Sequence, residues 1–271
     1  YKPGGSNLTY GREDTIAQIV VLPTFTEEIV DAYEIGLKTD LADGRIRLNT
    51  AAFFYNYEGL QYQATDPEVF EGGVGNIPES EIYGAELELS AFLSDSVILD
   101  LRASWLNTEI TADHLALDNV ESENATNALL GQGLGLFSNA VQIARAGRIQ
   151  NVKGNELAKT PSFTGNIALN WSNDLSWGEM KGTIQYTYRG GFKHRIFNNS
   201  ITDRVPNYDV MDIMLGFYPA SAEGWRFELI GKNLFDQDGI NARFTDVFGV
   251  GATGDELIGP RQIMLRVGTE F

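Results

Sequence analysis

The last nine residues of the chain alternate between apolar and polar side chains. Ile263, Leu265 and Val267 fall on one side of an extended strand, whereas Arg266 and Glu270 fall on the other. Successive side chains of a strand point to opposite faces, so this segment has one apolar face and one polar face. Earlier segments repeat the pattern along most of the chain. Two-faced strands of this kind are typical of a β-sheet that separates lipid from water.

Nine alternating segments follow one another after residue 31. They cover residues 32–41, 45–57, 82–92, 97–106, 163–171, 181–189, 211–217, 225–229 and 263–271. The upper half of the second segment is aromatic on both faces, as in the aromatic belt at a membrane interface. We therefore predict an all-β chain with about nine antiparallel strands.

Short and long connections alternate between these segments. Outer-membrane β-barrels have this arrangement, with short periplasmic turns and longer extracellular loops. The pattern predicts a segment of an up-and-down transmembrane barrel whose C-terminus is periplasmic. Residues 1–31 would belong to an extracellular loop that leads into the first strand, and residues 107–162 would form the longest loop. The other predicted loops cover residues 58–81, 190–207 and 233–259.

Charged side chains occupy the middle of several polar faces, for example at Glu86, Glu88, Asp100 and Arg102. A lipid-facing Arg or Lys at the bilayer midplane costs about 2 to 4 kcal/mol, so these faces would line an aqueous or plugged lumen. Charge alone fits a soluble β-sandwich with a solvated face equally well. The long strands and the alternating connection lengths favour the barrel.

The composition excludes several other classes of protein. The 20 basic and 37 acidic residues give a net charge of −17, which repels nucleic acid. There is no cysteine and there are only two histidines, which argues against a disulfide scaffold or a cysteine-ligated metal. No run of about 18 apolar residues predicts a transmembrane helix. Because no nucleophile, base and acid stand in a recognisable arrangement, we predict no enzyme, no catalytic residue, no cofactor and no metal site.

Four stretches, in barrel order, resemble TonB-dependent outer-membrane receptors. The resemblance covers roughly residues 30–271 and implies a barrel of about 22 strands, of which these would be the last nine. The plug domain, the TonB-contacting box and the first half of the barrel are absent from this chain, which starts at Tyr1 and which we interpret as a fragment. The four stretches are residues 31–61, Tyr83-Gly84-Ala85-Glu86-Leu87-Glu88, Gly231-Lys232-Asn233-Leu234-Phe235-Asp236, and Gly259-Pro260-Arg261 before the last strand.

The resemblance implies active import of a scarce nutrient, such as a ferric siderophore, cobalamin, haem or a glycan, across the bacterial outer membrane. The implied partners are the TonB energy-coupling complex, outer-membrane lipid and lipopolysaccharide, the barrel-assembly machinery and the nutrient itself. Two alternatives stay open, namely a passive porin-like or structural barrel and a soluble glycan-binding β-sandwich. Nine is an odd number of strands, which disfavours a self-contained barrel unless a strand around residues 16–22 makes ten.

The predicted loops carry the candidate ligand-binding residues. His114 lies among acidic residues of the longest loop, where it is a candidate cation ligand or simply part of a solvated acidic loop. His194 and Arg195 lie at the outer end of the sixth segment, in a basic stretch suited to an anionic ligand or a lipopolysaccharide phosphate.

Three further features complete the predictions. Residues 124–130 and 141–146 of the longest loop predict two short helices. Gly131, Gly133 and Gly135 lie between them and predict a flexible hinge or a close-packed loop. The terminal aromatic residue, Phe271, resembles the signal that outer-membrane assembly machinery recognises on barrel precursors.

Overall fold

A computed structural model gives the fold of the chain and describes residues 1–7, 24–65, 72–222, 224–245 and 253–269. One antiparallel sheet of nine strands dominates it, and each strand pairs with its neighbours in sequence. The sheet is an open section of an up-and-down barrel wall, so the predicted strand arrangement is confirmed. The strands are Ile29–Leu41 (β1), Ile46–Thr65 (β2), Gly72–Ser94 (β3), Val97–Ile110 (β4), Phe163–Leu175 (β5), Gly178–Arg189 (β6), Tyr208–Pro219 (β7), Trp225–Lys232 (β8) and Gln262–Thr269 (β9).

The connections divide between the two ends of the sheet. Tight turns join β1 to β2, β3 to β4, β5 to β6, and β7 to β8, and antiparallel pairing brings all four to one end, here called the turn end. The longer connections lie at the opposite end, the loop end. In the first turn Asp43 and Gly44 have φ values of 57° and 83°, as the Asp-Gly hairpin signal predicts.

One face of the sheet is apolar and uncovered. Ile35 on β1 is 78% exposed and Leu265 on β9 is 74% exposed. Cross-strand partners such as Leu37, Thr50 and Leu87 share this face along the sheet. No second sheet packs on it within the described residues, so the sheet is not one layer of a β-sandwich there. An uncovered apolar face of this extent, backed by a polar face, is typical of a transmembrane β-barrel wall, whose outer side contacts lipid.

Aromatic rings bracket the apolar face at both ends. Near the loop end, aromatic side chains form a row across the sheet, and the ring centroids of its contacting pairs lie 6.0 to 6.5 Å apart. Near the turn end, a second group has ring centroids 5.1 to 6.4 Å apart. Such girdles mark the two bilayer interfaces, so residues beyond the loop-end row lie outside the membrane. The loop-end row is Tyr33, Phe54, Tyr83, Trp105, Phe163 and Tyr188, and the turn-end group is Trp177, Phe217, Trp225 and Phe227.

The opposite face is polar and cross-linked. Arg47 donates to Asp40 at 3.0 Å between β1 and β2. Arg266 donates to Glu228 at 3.1 Å between β8 and β9. Such ion pairs between neighbouring strands give each charged group a partner of opposite charge. This polar face is therefore the lumen side of the wall, as the alternation predicts.

Three strands extend further toward the loop end than the sequence predicts. β4 continues to Ile110, and β2 and β3 pair as far as Thr65 and Gly72, so most of the predicted loop at residues 58–81 is a hairpin. Gly59, with φ of 67°, lies opposite Pro78, which has no N–H to donate. This interruption breaks the sequence pattern, although pairing resumes beyond it in the same register. The proposed tenth strand around residues 16–22 lies outside the described residues.

The connections beyond the loop-end aromatic row pack into one folded unit, here called the loop layer. It comprises residues 58–65, 72–82, 106–162, 190–207, 240–245 and 253–257. Short hairpins brace it, pairing Leu115–Leu117 with Ile149–Asn151 and Ile240–Thr245 with Thr253–Leu257. Its interior contains a buried apolar core, which is formed by Ile77, Ile110, Ala116, Val152, Leu157 and Ile196.

Two helices belong to the loop layer, α1 at Asn119–Leu130 and α2 at Asn139–Ala146, as predicted. α1 begins five residues earlier than predicted because the side chain of Asp118 caps it, accepting from the N–H of Glu121 at 3.3 Å. Gly133, between the helices, has φ of 85°, in the left-handed region that favours glycine. Among the described residues, neither helix has the length and apolar character needed to span a membrane.

Candidate functional site

The loop layer encloses a cavity of about 880 Å³. His114, His194 and Arg195, the three candidate ligand-binding residues, all line it. They meet, although His114 and His194 are 80 positions apart, because alternate connections of an antiparallel sheet emerge at the same end. The wall is assembled from seven stretches of the chain, which are residues 24–26, 62–64, 74–76, 113–117 with 119, 158–159, 194–197 and 243–245.

Arg195 ties separate loops together beneath the cavity wall. Its guanidinium donates to Asp203 and to Asp118, each at 2.7 Å, and also reaches Asn119 and Thr202 at 3.2 Å. Asp118 and Asp203 are 3% and 0% exposed. The predicted contact between Arg195 and a ligand stays a prediction, because these described partners already occupy all three guanidinium nitrogens. The arrangement makes Arg195 the link between α1 and residues 190–207.

His194 is a buried, neutral hydrogen-bonding group. Its Nε2 lies 2.8 Å from the hydroxyl of Thr245, and its Nδ1 lies 3.9 Å from a carboxylate oxygen of Asp203. Burial, together with the positive charges of Arg195 and Arg243, lowers the pKa of His194 from 6.5 to about 4. The imidazole is therefore uncharged near neutral pH and cannot supply a cation to the cavity.

His114 forms a second hydrogen-bonded pair in the cavity wall. Its Nε2 lies 2.9 Å from the phenol oxygen of Tyr62, and the two rings meet edge to face at 5.4 Å. Burial lowers the pKa of His114 below its ordinary value, so this ring is also neutral. Tyr62 was not among the sequence candidates, because residues 58–81 were predicted to be a loop. In the structure Tyr62 lies on a strand, β2, and its side chain lines the cavity.

The acidic residues near His114 in sequence do not gather around it. Asp113 accepts from the side-chain amide of Asn151 at 2.8 Å and from Lys153 at 3.0 Å, and these hydrogen bonds lower the pKa of its carboxyl. Asp118 bonds to Arg195 instead, and Glu121 accepts from Asn199 at 3.4 Å. The geometry does not favour the cation-ligand interpretation of His114.

Aromatic and cationic side chains missed by the sequence analysis complete the wall. Arg243 forms a bidentate ion pair with Asp255, at 2.6 and 2.8 Å, which raises the pKa of Arg243. Phe244, beside it, is 66% exposed, and Phe197 packs under Arg195 at 5.2 Å. Lys159 also lines the cavity. Nothing in the sequence marks these residues, since their roles depend on contacts between distant loops.

Phe271 lies outside the described residues, so its part in assembly stays a prediction.

The comparisons with known proteins agree with this architecture. A family described as TonB dependent receptor-like, beta-barrel matches residues 1–234. No curated protein matches the chain.

Solved structures share the fold at low sequence identity. The ferric yersiniabactin uptake receptor FyuA from Yersinia pestis has a TM-score of 0.64 and 17% identity, over 92% of this chain and 31% of FyuA. The siderophore receptor PiuA from Acinetobacter baumannii has a TM-score of 0.61 and 17% identity, over 89% of this chain and 28% of PiuA. The copper transporter OprC has a TM-score of 0.55 and 11% identity, over 90% of this chain and 31% of OprC. The chain thus spans at most 31% of the length of these proteins.

Proposed function

Because the chain belongs to the TonB dependent receptor-like, beta-barrel family, we propose that it is part of an outer-membrane receptor for TonB-dependent uptake of a scarce nutrient. The cargo that we propose is a metal chelate such as a ferric siderophore. Proteins of this family are receptors and not enzymes, in agreement with the absence of a catalytic arrangement in the sequence.

The observation that carries the proposal is the cavity of the loop layer. Its volume of about 880 Å³ lies within the range of small-molecule sites, which is about 300 to 1,000 Å³. Aromatic side chains and hydrogen-bonding groups share its wall, and the wall rests on a buried core. In a preformed site of this kind, ligand binding costs little free energy for ordering loops. The resulting gain in affinity suits the capture of a nutrient at low concentration.

The same proposal fixes the orientation and the partners of the receptor. The loop layer would face the outside, and the turns and the C-terminus would face the periplasm. The TonB complex would act through a plug region, lipopolysaccharide would surround the outer aromatic girdle, and the barrel-assembly machinery would read Phe271. Residues 1–271 would then be the C-terminal part of the barrel domain, in keeping with the share of FyuA and PiuA that they match.

The neighbours in structure support a chelate as the cargo without identifying it. FyuA is described as a ferric yersiniabactin uptake receptor and PiuA as a siderophore receptor, whereas OprC is described as a copper transporter. The fold alone is therefore compatible with more than one metal. Ferric siderophores remain the first candidates to test.

The deciding experiment measures uptake of radiolabelled ferric siderophores by cells that express the full-length receptor. We expect saturable uptake that disappears in a strain without TonB and on addition of a protonophore. A passive porin-like barrel predicts uptake that is proportional to concentration and indifferent to TonB, and that result would refute the proposal. Cells that lack the receptor provide the background.

A further inference from the structure

Lys159 lies on the cavity wall in a turn whose backbone is held firmly. Its φ of 62° is in the left-handed region, and its N–H donates to the carbonyl of Lys193 at 2.6 Å. Leu157 is buried in the core of the loop layer, and the hydroxyl of Thr160 donates to the carbonyl of Leu157 at 2.6 Å. The Lys159 side chain itself is exposed. The turn therefore anchors an exposed ammonium-bearing side chain at a defined point of the wall.

Lys159 differs from the other charged residues of the wall. Each of the other three has an ion-pair partner that does not itself line the cavity, whereas Lys159 has none among the described residues. The three sets are Arg195 with Asp118 and Asp203, Arg243 with Asp255, and Asp113 with Lys153.

The two carboxylates on Arg195 do not cancel the charge of Lys159. Asp118 is the N-cap of α1, where the helix dipole supplies roughly half a positive charge. Asp118 and Asp203 are buried and do not line the cavity. The positive charge of Lys159 also contributes to the lowered pKa of His194. Because His194 lines the cavity, the electric field of Lys159 reaches the cavity wall.

We propose that Lys159 is a specificity-determining residue that selects ligands of net negative charge, bearing carboxylate, phenolate or phosphate oxygens. The inference rests on the proposed function in treating the cavity as the cargo site. The chain as a whole carries a net charge of −17, which opposes the approach of an anion. An unpaired ammonium at the site offsets that repulsion and forms charge-assisted hydrogen bonds to oxyanions.

Two substitutions separate the charge of Lys159 from the shape of its turn. Lys159→Asn removes the charge and keeps a residue type that tolerates the left-handed region, and Lys159→Glu reverses the charge. Arg148 provides the matched control, because it is exposed in the same loop layer and does not line the cavity. Arg148→Gln and Arg148→Glu make the same two charge changes. All variants are made in the full-length receptor and purified in a non-ionic detergent.

A fluorophore on a cysteine introduced at Phe244 reports the potential inside the cavity. Phe244 lines the cavity, and the 271 residues contain no cysteine of their own. Iodide and caesium ions are the probes, because both quench the same fluorophore and the two ions carry opposite charges. A unit charge about 8 Å away in water changes the local concentration of either ion about twofold. We expect Lys159→Asn to lower the ratio of iodide to caesium quenching about fourfold, and Lys159→Glu to lower it further.

The Arg148 variants should leave that ratio nearly unchanged. An unchanged ratio in Lys159→Asn, or an equal change in Arg148→Gln, overturns the inference. In cells, Lys159→Glu should reduce uptake of an anionic ferric tris-catecholate about tenfold while sparing a neutral ferric tris-hydroxamate. Equal loss of both chelates also overturns it. If neither chelate is taken up even by wild-type receptor, these two chelates are not its cargo, and the quenching ratio still decides the charge of the site; uptake that is indifferent to TonB would instead refute the proposed function.

Discussion

Replacement of Arg195 by methionine tests whether the loop layer depends on one buried ionic link. Arg195 joins the N-cap of α1 to residues 190–207 through Asp118 and Asp203. Methionine keeps much of the volume of the side chain and removes every donor. The variant would leave two carboxylates, 3% and 0% exposed, close to each other without a counter-charge.

The expected cost follows from that burial. Removal of one partner from a buried ion pair typically destabilises by about 3 to 5 kcal/mol, because the remaining charge stays buried and uncompensated. The link is local to the loop layer, so we expect this cost to appear as easier opening of the layer rather than as unfolding of the sheet. A loss of about 4 kcal/mol corresponds to an increase in opening of about a thousandfold.

Amide hydrogen exchange of the full-length receptor in detergent measures that opening directly. We expect amides of α1, from Ser122 to Leu130, to exchange up to about a thousandfold faster in Arg195→Met. Amides in the membrane-embedded part of β5 and β6 should exchange at the wild-type rate. Arg148→Met, on the surface of the same layer, is the control for the substitution itself.

A neutralised variant makes this prediction sharper. Asp118→Asn and Asp203→Asn, combined with Arg195→Met, remove all three charges, and asparagine still caps a helix. Complete removal of a buried ionic network is often neutral, so this triple variant should recover most of the protection. Wild-type exchange of α1 in Arg195→Met alone would refute the reasoning, because it would mean that the ionic link does not hold the loop layer.

Three other outcomes are expected. The pKa of His194 is about 4 in the folded loop layer and 6.5 when the layer is unfolded. Between these pH values the unfolded layer binds one more proton than the folded layer. The stability of the layer is therefore lost as pH falls from 6.5 to about 4. The loss should reach about 3 kcal/mol, and His194→Gln should flatten it in thermal melts of the loop layer. Leu265→Arg, on the lipid face, should destabilise the folded barrel by about 2 to 4 kcal/mol in reversible unfolding, whereas Arg266→Gln on the lumen face should cost much less. Deletion of Phe271 should lower the amount of receptor in the outer membrane, measured by immunoblotting, more than it lowers the affinity of the surviving receptor for ligand.

The strands could be predicted because lipid imposes a strict rule on them. Each strand that crosses a bilayer must present apolar side chains at every second position, and residues 32–41 and 263–269 follow that rule closely. The rule does not apply to the parts of the strands that extend beyond the membrane at the loop end. Leu60, Tyr62 and Ala64 still alternate with glutamines, but Gly59 and Pro78 interrupt the pattern beyond the loop-end aromatic row.

The candidate site could be predicted only in part. The positions of His114, His194 and Arg195 followed from the topology, which brings all long connections to one end of the sheet. Their chemistry depends on residues from other loops, such as Tyr62 beside His114 and Asp118 beside Arg195. A single sequence does not reveal such pairings, because 52 and 77 positions separate the partners.

The cavity wall is built from seven stretches of chain. This arrangement constrains how the cargo specificity of the receptor can change. A loop grafted from a relative with another cargo would bring its own side chains but lose partners such as Asp118 for Arg195 or Thr245 for His194. Change of cargo should therefore proceed through exposed positions without such partners, of which Lys159 is one. In a lineage that switches nutrients, the buried links should persist while the residue at position 159 varies.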